Sequence, residues 1–237
     1  MDSTELRDQF RSGVLDQVEP FLWSEDDVYD YLNDAQKMFA RLIGGLGDCT
    51  SNLTTINYTP ATDWVSVSER ILKFRDAYSV LPADGRPIEI INYEDLHTRR
   101  IRFDGRTGRP KYLITGMEAD KARLYPFPDI SGTIQLLIDR LPLKEVTDAD
   151  QKLEVNAMHK TGLGLWMKAR AYAKQDAETF DRGKSDGFET KFRAYCAAAK
   201  LEKDRAKHKT RVVVYGGIGE GSGHGRRGDY RSDFYGS

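Results

Sequence analysis

The stretch SEDDVYDYLNDAQKMFARLIGGLGDCTSNLTTINY, Ser24 to Tyr58, contains two different periodicities, and the change between them decides the fold class. In its first half Val28, Leu32, Ala35, Phe39 and Leu42 recur at spacings of four and three, which is the apolar face of an amphipathic helix. Ser24, with Asp27 three residues on, predicts a capping-box start. Glu25, Asp26 and Asp27 lie where the helix dipole favours negative charge. Gly44 and Gly45 predict the stop. Beyond them TTINY is β-prone, so one chain needs both kinds of element.

Working outward, STELRDQFRSGVLDQV predicts an earlier helix. Leu6, Phe10, Val14 and Val18 fall every four positions, Leu15 widens the stripe, and Pro20 ends it. On the other side, from Asn52 to Arg140, short β-prone runs alternate with Gly, Pro, Asn and Asp. The runs are TTINY, WVSV, ILKFRDAYS, IEII, RIRF, KYLIT, ARLY and TIQLLID. In the last of them Ile134, Leu136 and Ile138 share one face. PFPDISG before it predicts a tight corner between antiparallel neighbours. The region reads as a β meander or small sandwich.

Pro142 closes that region, and Thr147 or Asp148 is positioned to cap a helix from Ala149 to Lys174. Its expected stripe holds Leu153, Ala157, Thr161, Gly164, Leu165, Lys168 and Tyr172. Gly162 and Gly164 inside it each cost about 1 kcal/mol relative to alanine, which suits either close approach to another helix or a break. A last helix is expected over Ser185 to Arg205, with Phe188, Phe192, Tyr195 and Ala199 as its core stripe.

The expected architecture is therefore α+β, a helical-bundle core with an inserted antiparallel β domain and an extended C-terminal arm. Residues 1–51 supply the N-terminal core helices, 52–142 the inserted β domain, 143–210 the C-terminal core helices and 211–237 the arm. A chain of 237 residues buries enough surface to need no disulfides, and its two cysteines, Cys49 and Cys196, lie far apart. No charged-then-apolar leader predicts a secretory signal, and no apolar run is long enough to predict a membrane span. The formal net charge is only −1, but residues 1–34 hold ten acids against two arginines, and residues 200–211 hold six bases against two acids. Such ends can attract each other, within one subunit or between neighbours, or can simply be solvated helix faces.

The tail RVVVYGGIGEGSGHGRRGDYRSDFYGS, Arg211 to Ser237, looks like a strand entering a phosphate loop, but the pattern fails. From Gly217, Gly219 or Gly221 the third glycine of G-x-G-x-x-G falls on Ser222, His224 or Arg226, and no Walker sequence is present. His97, His159, His208 and His224 show no metal-ligand spacing. No G-x-S-x-G elbow occurs, and the paired acids at Glu25–Asp27 and Asp148/Asp150 sit at helix starts, where capping explains them. The expectation is no enzyme, no cofactor and no metal. Arg226, Arg227, Tyr230 and Arg231 resemble an RNA-binding tail, yet the segment sums to only +1, too little for tight phosphate binding. What remains is an arm that grips another molecule, or a tail that frays in solution. Val212, Val213, Val214 and Tyr215 can add a strand to another chain, with Tyr230, Phe234 and Tyr235 as aromatic anchors.

FLWSEDDVYDYLNDAQKMFARL resembles the second helix of head-to-tail adaptor (neck, connector) proteins of tailed bacteriophages. ARLYPFPDISGTIQLLIDRLPL is similar to the strand pair of that family, joined at a Pro-rich corner. AMHKTGLGLWMKARAYAKQDAETFDRGKSDGFETKF resembles its C-terminal helical pair, and RVVVYGG the start of its C-terminal arm. The resemblance covers most of the chain, least so Asn52 to Arg109, and the tail beyond Gly217 departs from it by its length. It implies a virion structural protein in the neck between capsid and tail, assembled in the host cytoplasm as a twelvefold homo-oligomeric ring. Its implied partners are the portal protein and a tail tube or nozzle protein. Genome DNA would pass through without tight binding, and no membrane would be involved. The alternatives are another neck or tail-tube component, or a nucleic-acid-binding accessory protein.

Overall fold

α1 (Ser3–Val14) stops one turn before its apolar spacing predicts. The reason is Asp16. Leu15 adopts a left-handed conformation, φ 61°, and the Asp16 amide returns to the Arg11 carbonyl at 2.9 Å. The Asp16 carboxylate is buried on Arg11 and on the Leu22 amide, each at 2.8 Å. The chain therefore doubles back, and Leu15 and Val18, expected in the core stripe, face solvent instead. This computed structural model describes residues 2–60, 62–81, 85–96, 98–99, 101, 105–175 and 179–207.

α2 (Glu25–Leu42) begins as its sequence predicts. The Asp27 amide donates to Ser24 Oγ at 3.1 Å, and the Ser24 amide donates back to Asp27 Oδ2 at 3.2 Å. Val28, Leu32, Ala35 and Phe39 are fully buried. Gly44 and Gly45, at φ 78° and 91°, terminate it. Gly45 is required twice over, because a Cβ there would lie 2.7 Å from the Cβ of Asp139. This is where the helical layer touches the sheets.

The short strand β1 (Leu46–Asp48), unread in the sequence, then pairs with the C-terminal half of β8 (Gly132–Arg140). β2 (Thr55–Tyr58) continues along the same side of β8, and β4 (Ile71–Leu81) lies along the other; all three pairings are antiparallel. A second sheet runs in the order β3 (Trp64–Ser66), β7 (Lys121–Tyr125), β6 (Tyr112–Glu118), β5 (Glu89–Asn92). Here two expectations change. β5 and β6 are parallel, so the β region is mixed rather than wholly antiparallel. PFPDISG does not join ladder partners; it carries the chain from β7 in one sheet to β8 in the other. Of RIRF, Ile101 lies in no strand, and the other three residues are outside the described set. Ile56, Ala77, Ile134, Leu136 and Ile138 from the first sheet share one buried cluster with Val65, Leu113, Ala122 and Leu124 from the second. The sheets face each other as a small sandwich.

The long helix expected from Ala149 is shorter. Asp150 has φ 60°, Lys152 bridges to Asp2, and the Ser3 amide donates to the Gln151 carbonyl at 2.9 Å. These residues run beside the start of α1, and neither Thr147 nor Asp148 caps a helix. α3 (Lys160–Ala173) follows a single 3-10 turn at Ala157–His159. α4 (Arg182–Lys207) extends beyond its expected limits at both ends. Leu6 and Phe10, Leu32 and Phe39, Leu163 and Trp166, and Phe192 and Cys196 bring all four helices into one buried cluster.

The two α3 glycines differ. A Cβ on Gly162 would collide with the Tyr195 ring of α4, whereas one on Gly164 would meet nothing within 4 Å. Tyr195 cannot swing away cheaply, because its hydroxyl is held by His159 Nδ1 at 3.1 Å and the Met158 carbonyl at 3.3 Å. Gly164→Ala is thus expected to stabilise by up to about 1 kcal/mol. Gly162→Ala is expected to destabilise by about 1–2 kcal/mol despite the same gain in helix propensity. Urea unfolding of both variants checks the opposite signs.

Candidate interaction surfaces

Two charged knots anchor β8, one to the helical layer and one to the chain that leaves the sandwich towards α3. In the first, Asp139 of β8 is only 2% exposed. It accepts from Arg75 Nε at 2.6 Å and from Lys203 of α4 at 3.2 Å. The Lys203 ammonium also caps the end of α2 through the Gly45 carbonyl at 2.5 Å and the Gly44 carbonyl at 3.4 Å. Burial raises the Asp139 pKa, but Arg75 and Lys203 outweigh it and hold the carboxyl below its usual range. In the second knot Arg140 bridges Asp48 and Glu154, the latter at 2.5 Å, and Glu154 accepts the Leu143 and Lys144 amides. Burial is likewise overcome at Asp48 and Glu154, and both titrate below the ordinary carboxylate range. Lys203 lies one turn before the end of α4, so the root of residues 208–237 is tied to α2 and β8 together.

The acid-rich N-terminus finds its partners elsewhere. Glu5 pairs with Lys160 at 2.6 Å, Asp34 with Arg170 at 3.0 Å and Asp27 with Lys174 at 2.8 Å. These cations belong to α3 and the residue after it. Among the described residues of the basic segment, Lys203 reaches the end of α2 through the Gly44 and Gly45 carbonyls.

His159 packs 4.7 Å from the Phe39 ring, and burial depresses its pKa below 6.5, with Glu202 pulling weakly the other way. Between the folded and unfolded pKa values the unfolded chain binds the proton that the folded chain rejects. The His159 contribution is therefore complete above about pH 6.5 and is lost as pH falls below it. His159→Phe should flatten the fall in unfolding free energy between about pH 7.5 and 5.5; an unchanged slope would assign that fall to other groups. Cys196 is buried, and its thiol is pushed up to about 12, chiefly by that burial; Cys49 is exposed. Among the described residues no three His, Cys, Asp or Glu side chains gather as a metal site, and no helix is long and apolar enough to cross a membrane. A cleft of about 620 Å³ opens between β4 and the β5–β6 edge, lined by Arg75, Arg86, Lys111 and Tyr112 together with Asp76 and Glu89.

Val212, Val213, Val214, Tyr215, Tyr230, Phe234 and Tyr235 lie outside the described residues, as do His97, His208 and His224. What sequence reading missed is the connection from Leu15 to Leu22, of which Leu15 and Val18 fit the apolar stripe of a helix. No local signal marked it, because Asp16 falls off the stripe of Leu6, Phe10, Val14 and Val18 and its burial appears only in the fold. No curated protein matches the chain. The family model described as SU10 adaptor protein matches residues 1–214.

Proposed function

This chain belongs to the SU10 adaptor protein family of phage head-to-tail adaptors, so its role is that of a structural adaptor in the virion neck, and from that premise we propose how it joins head to tail. Copies assemble as a homo-oligomeric ring between the portal protein and the tail tube or nozzle, in the host cytoplasm. The ring surrounds the passage through which genome DNA moves. Residues 1–51 and 143–210 form the helical framework, 52–142 the β domain and 211–237 the docking arm. The observation that carries the reading is the family match over residues 1–214. Its span includes Val212, Val213 and Val214, which we assign to the strand that docks on the portal, and ends before Tyr230, Phe234 and Tyr235, which we assign to anchoring.

Physical chemistry supports the division of labour. A ring contact is heterologous, so each subunit must carry two different complementary surfaces. A DNA passage works when the wall does not grip phosphates, and a formal net charge of −1 suits that requirement. The Asp139–Lys203 knot fixes the sandwich to α4, which suits a part that transmits load. The reading is tested by size-exclusion chromatography of the purified chain mixed with the portal oligomer of the same phage. Co-elution of several copies per portal, with no retention on DNA at physiological salt, is the expected result. DNA retention without portal binding would favour the nucleic-acid-binding alternative.

A further inference from the structure

Four large apolar side chains stand together on the connection between α1 and α2: Leu15 is 89% exposed, Val18 80%, Leu22 48% and Phe21 36%. The turn beneath them is pinned. The Asp16 carboxylate takes hydrogen bonds from Arg11 and the Leu22 amide, and the Arg11 guanidinium lies 3.9 Å from the centroid of the Phe21 ring. One exposed leucine needs no explanation, but four such residues within one fixed turn form a surface suited to being covered. A cleft of about 380 Å³, bordered by Asp8, Gln17 and Phe21, runs beside it. Around the turn Glu19, Asp26 and Asp30 are exposed, and none has a cationic partner among the described residues.

The matching surface is on α4. Lys191, Ala194, Ala198, Leu201 and Arg205 recur every three or four residues, so they form one stripe about 21 Å long. All five are exposed, Leu201 at 59%. Neither Lys191 nor Arg205 has a carboxylate partner among the described residues. Lys168 of α3 lies against Gly13 of α1 and 5.8 Å from the Phe188 ring of α4, so α1 and α4 flank α3. Among the described residues, one surface is apolar with acids that meet no cation; the other is apolar with bases that meet no carboxylate, Lys191 lying 5.5 Å from the Phe188 ring.

We infer that the turn from Leu15 to Leu22 is covered by the α4 stripe of a second copy of this chain. Leu201 meets Val18 and Leu22, while Lys191 and Arg205 face Glu19, Asp26 and Asp30. Opposite charges at the rim select this register over others. The contact uses two different surfaces, so it repeats head to tail. It rests on the ring reading above and names the surfaces of that ring.

The test uses the full-length chain carrying Val18→Cys and Ala198→Cys, with Cys49→Ser to remove the other exposed thiol. Oxidised at high concentration, it should give a ladder of covalent dimers and larger species on a non-reducing gel. Adding Lys191→Glu and Arg205→Glu should cut the cross-linked fraction about tenfold, a loss of about 1.4 kcal/mol. Further adding Asp26→Lys and Asp30→Lys should restore it. All these positions are exposed, and circular dichroism verifies the fold. A yield indifferent to the charge reversals, a disulfide within one chain, or cover by residues 211–237 of the same chain overturns the inference. A chain that assembles, alone or on portal, without the ladder sinks this pairing and leaves the ring standing. One that never assembles sinks both.

Discussion

Replacing Arg11 by methionine is expected to lower the unfolding free energy by about 3–5 kcal/mol, the cost of leaving a buried charge without its partner. The arginine side chain is 7% exposed and that of Asp16 is 2%. Arg11 also donates to Glu25 at 2.8 Å and to the Trp23 carbonyl at 3.3 Å, and it lies over Phe21. Methionine fills much of the same volume, so the loss reports charge rather than a cavity. The Leu22 amide still serves Asp16, which keeps the expected cost near the lower end. Combining the change with Asp16→Asn, which keeps an acceptor but removes the charge, should recover more than about 1 kcal/mol of the loss. Chemical denaturation of the two single variants and the double variant gives the result. Simple additivity would mean that the pair is not coupled as the geometry implies. Because Asp16 holds the exposed turn in place, Arg11→Met should also disturb whatever that turn contacts.

Deleting Arg211 to Ser237 is expected to abolish docking on the portal while leaving the fold intact. The helices and sheets that close the two main cores lie within residues 2–207, and Lys203 ties the end of α4 to α2 and β8 within that span. Every described member of the two clusters is retained, so the thermal midpoint should move by no more than a degree or two. Binding, by contrast, should fall below detection, because backbone pairing by Val212, Val213, Val214 and Tyr215 and burial of Tyr230, Phe234 and Tyr235 would be lost together. A shorter deletion after Tyr215 separates the two: with partial loss, the lost affinity belongs to the aromatic residues and the retained affinity to the strand. Full docking by the longer deletion would end the arm hypothesis.

The features that sequence revealed are those governed by local rules. The capping box at Ser24, the apolar face of α2 and the glycine stop at Gly44 and Gly45 each depend on residues within a turn of one another. The alternation of Ile134, Leu136 and Ile138 was legible for the same reason, since a strand face needs only its own period. Features that depend on distant partners were not legible. α1 ends where it does because Asp16 pairs with Arg11 and bonds the backbone of Leu22. The expected helix at Ala149 is replaced by extended chain because Gln151 and Lys152 are held by Ser3 and Asp2, far away in sequence. PFPDISG was read as a corner between antiparallel neighbours, but it links two sheets, and nothing local says which sheet the chain enters next. The parallel pairing of β5 with β6 is equally a matter of topology. Of the two proposed surfaces, the arm rests on sequence alone and lies outside the described residues, whereas the α1–α2 turn needed the fold, because Leu15 and Val18 mimic a helix stripe.

Electron cryomicroscopy of the purified full-length chain bound to portal tests the central claim most directly. The account predicts a closed ring of copies seated on the portal, with residues Val212 to Tyr235 of each copy laid against portal backbone and side chains. A ring whose terminal segments hang loose, or fold back over a bound phosphate, would contradict it.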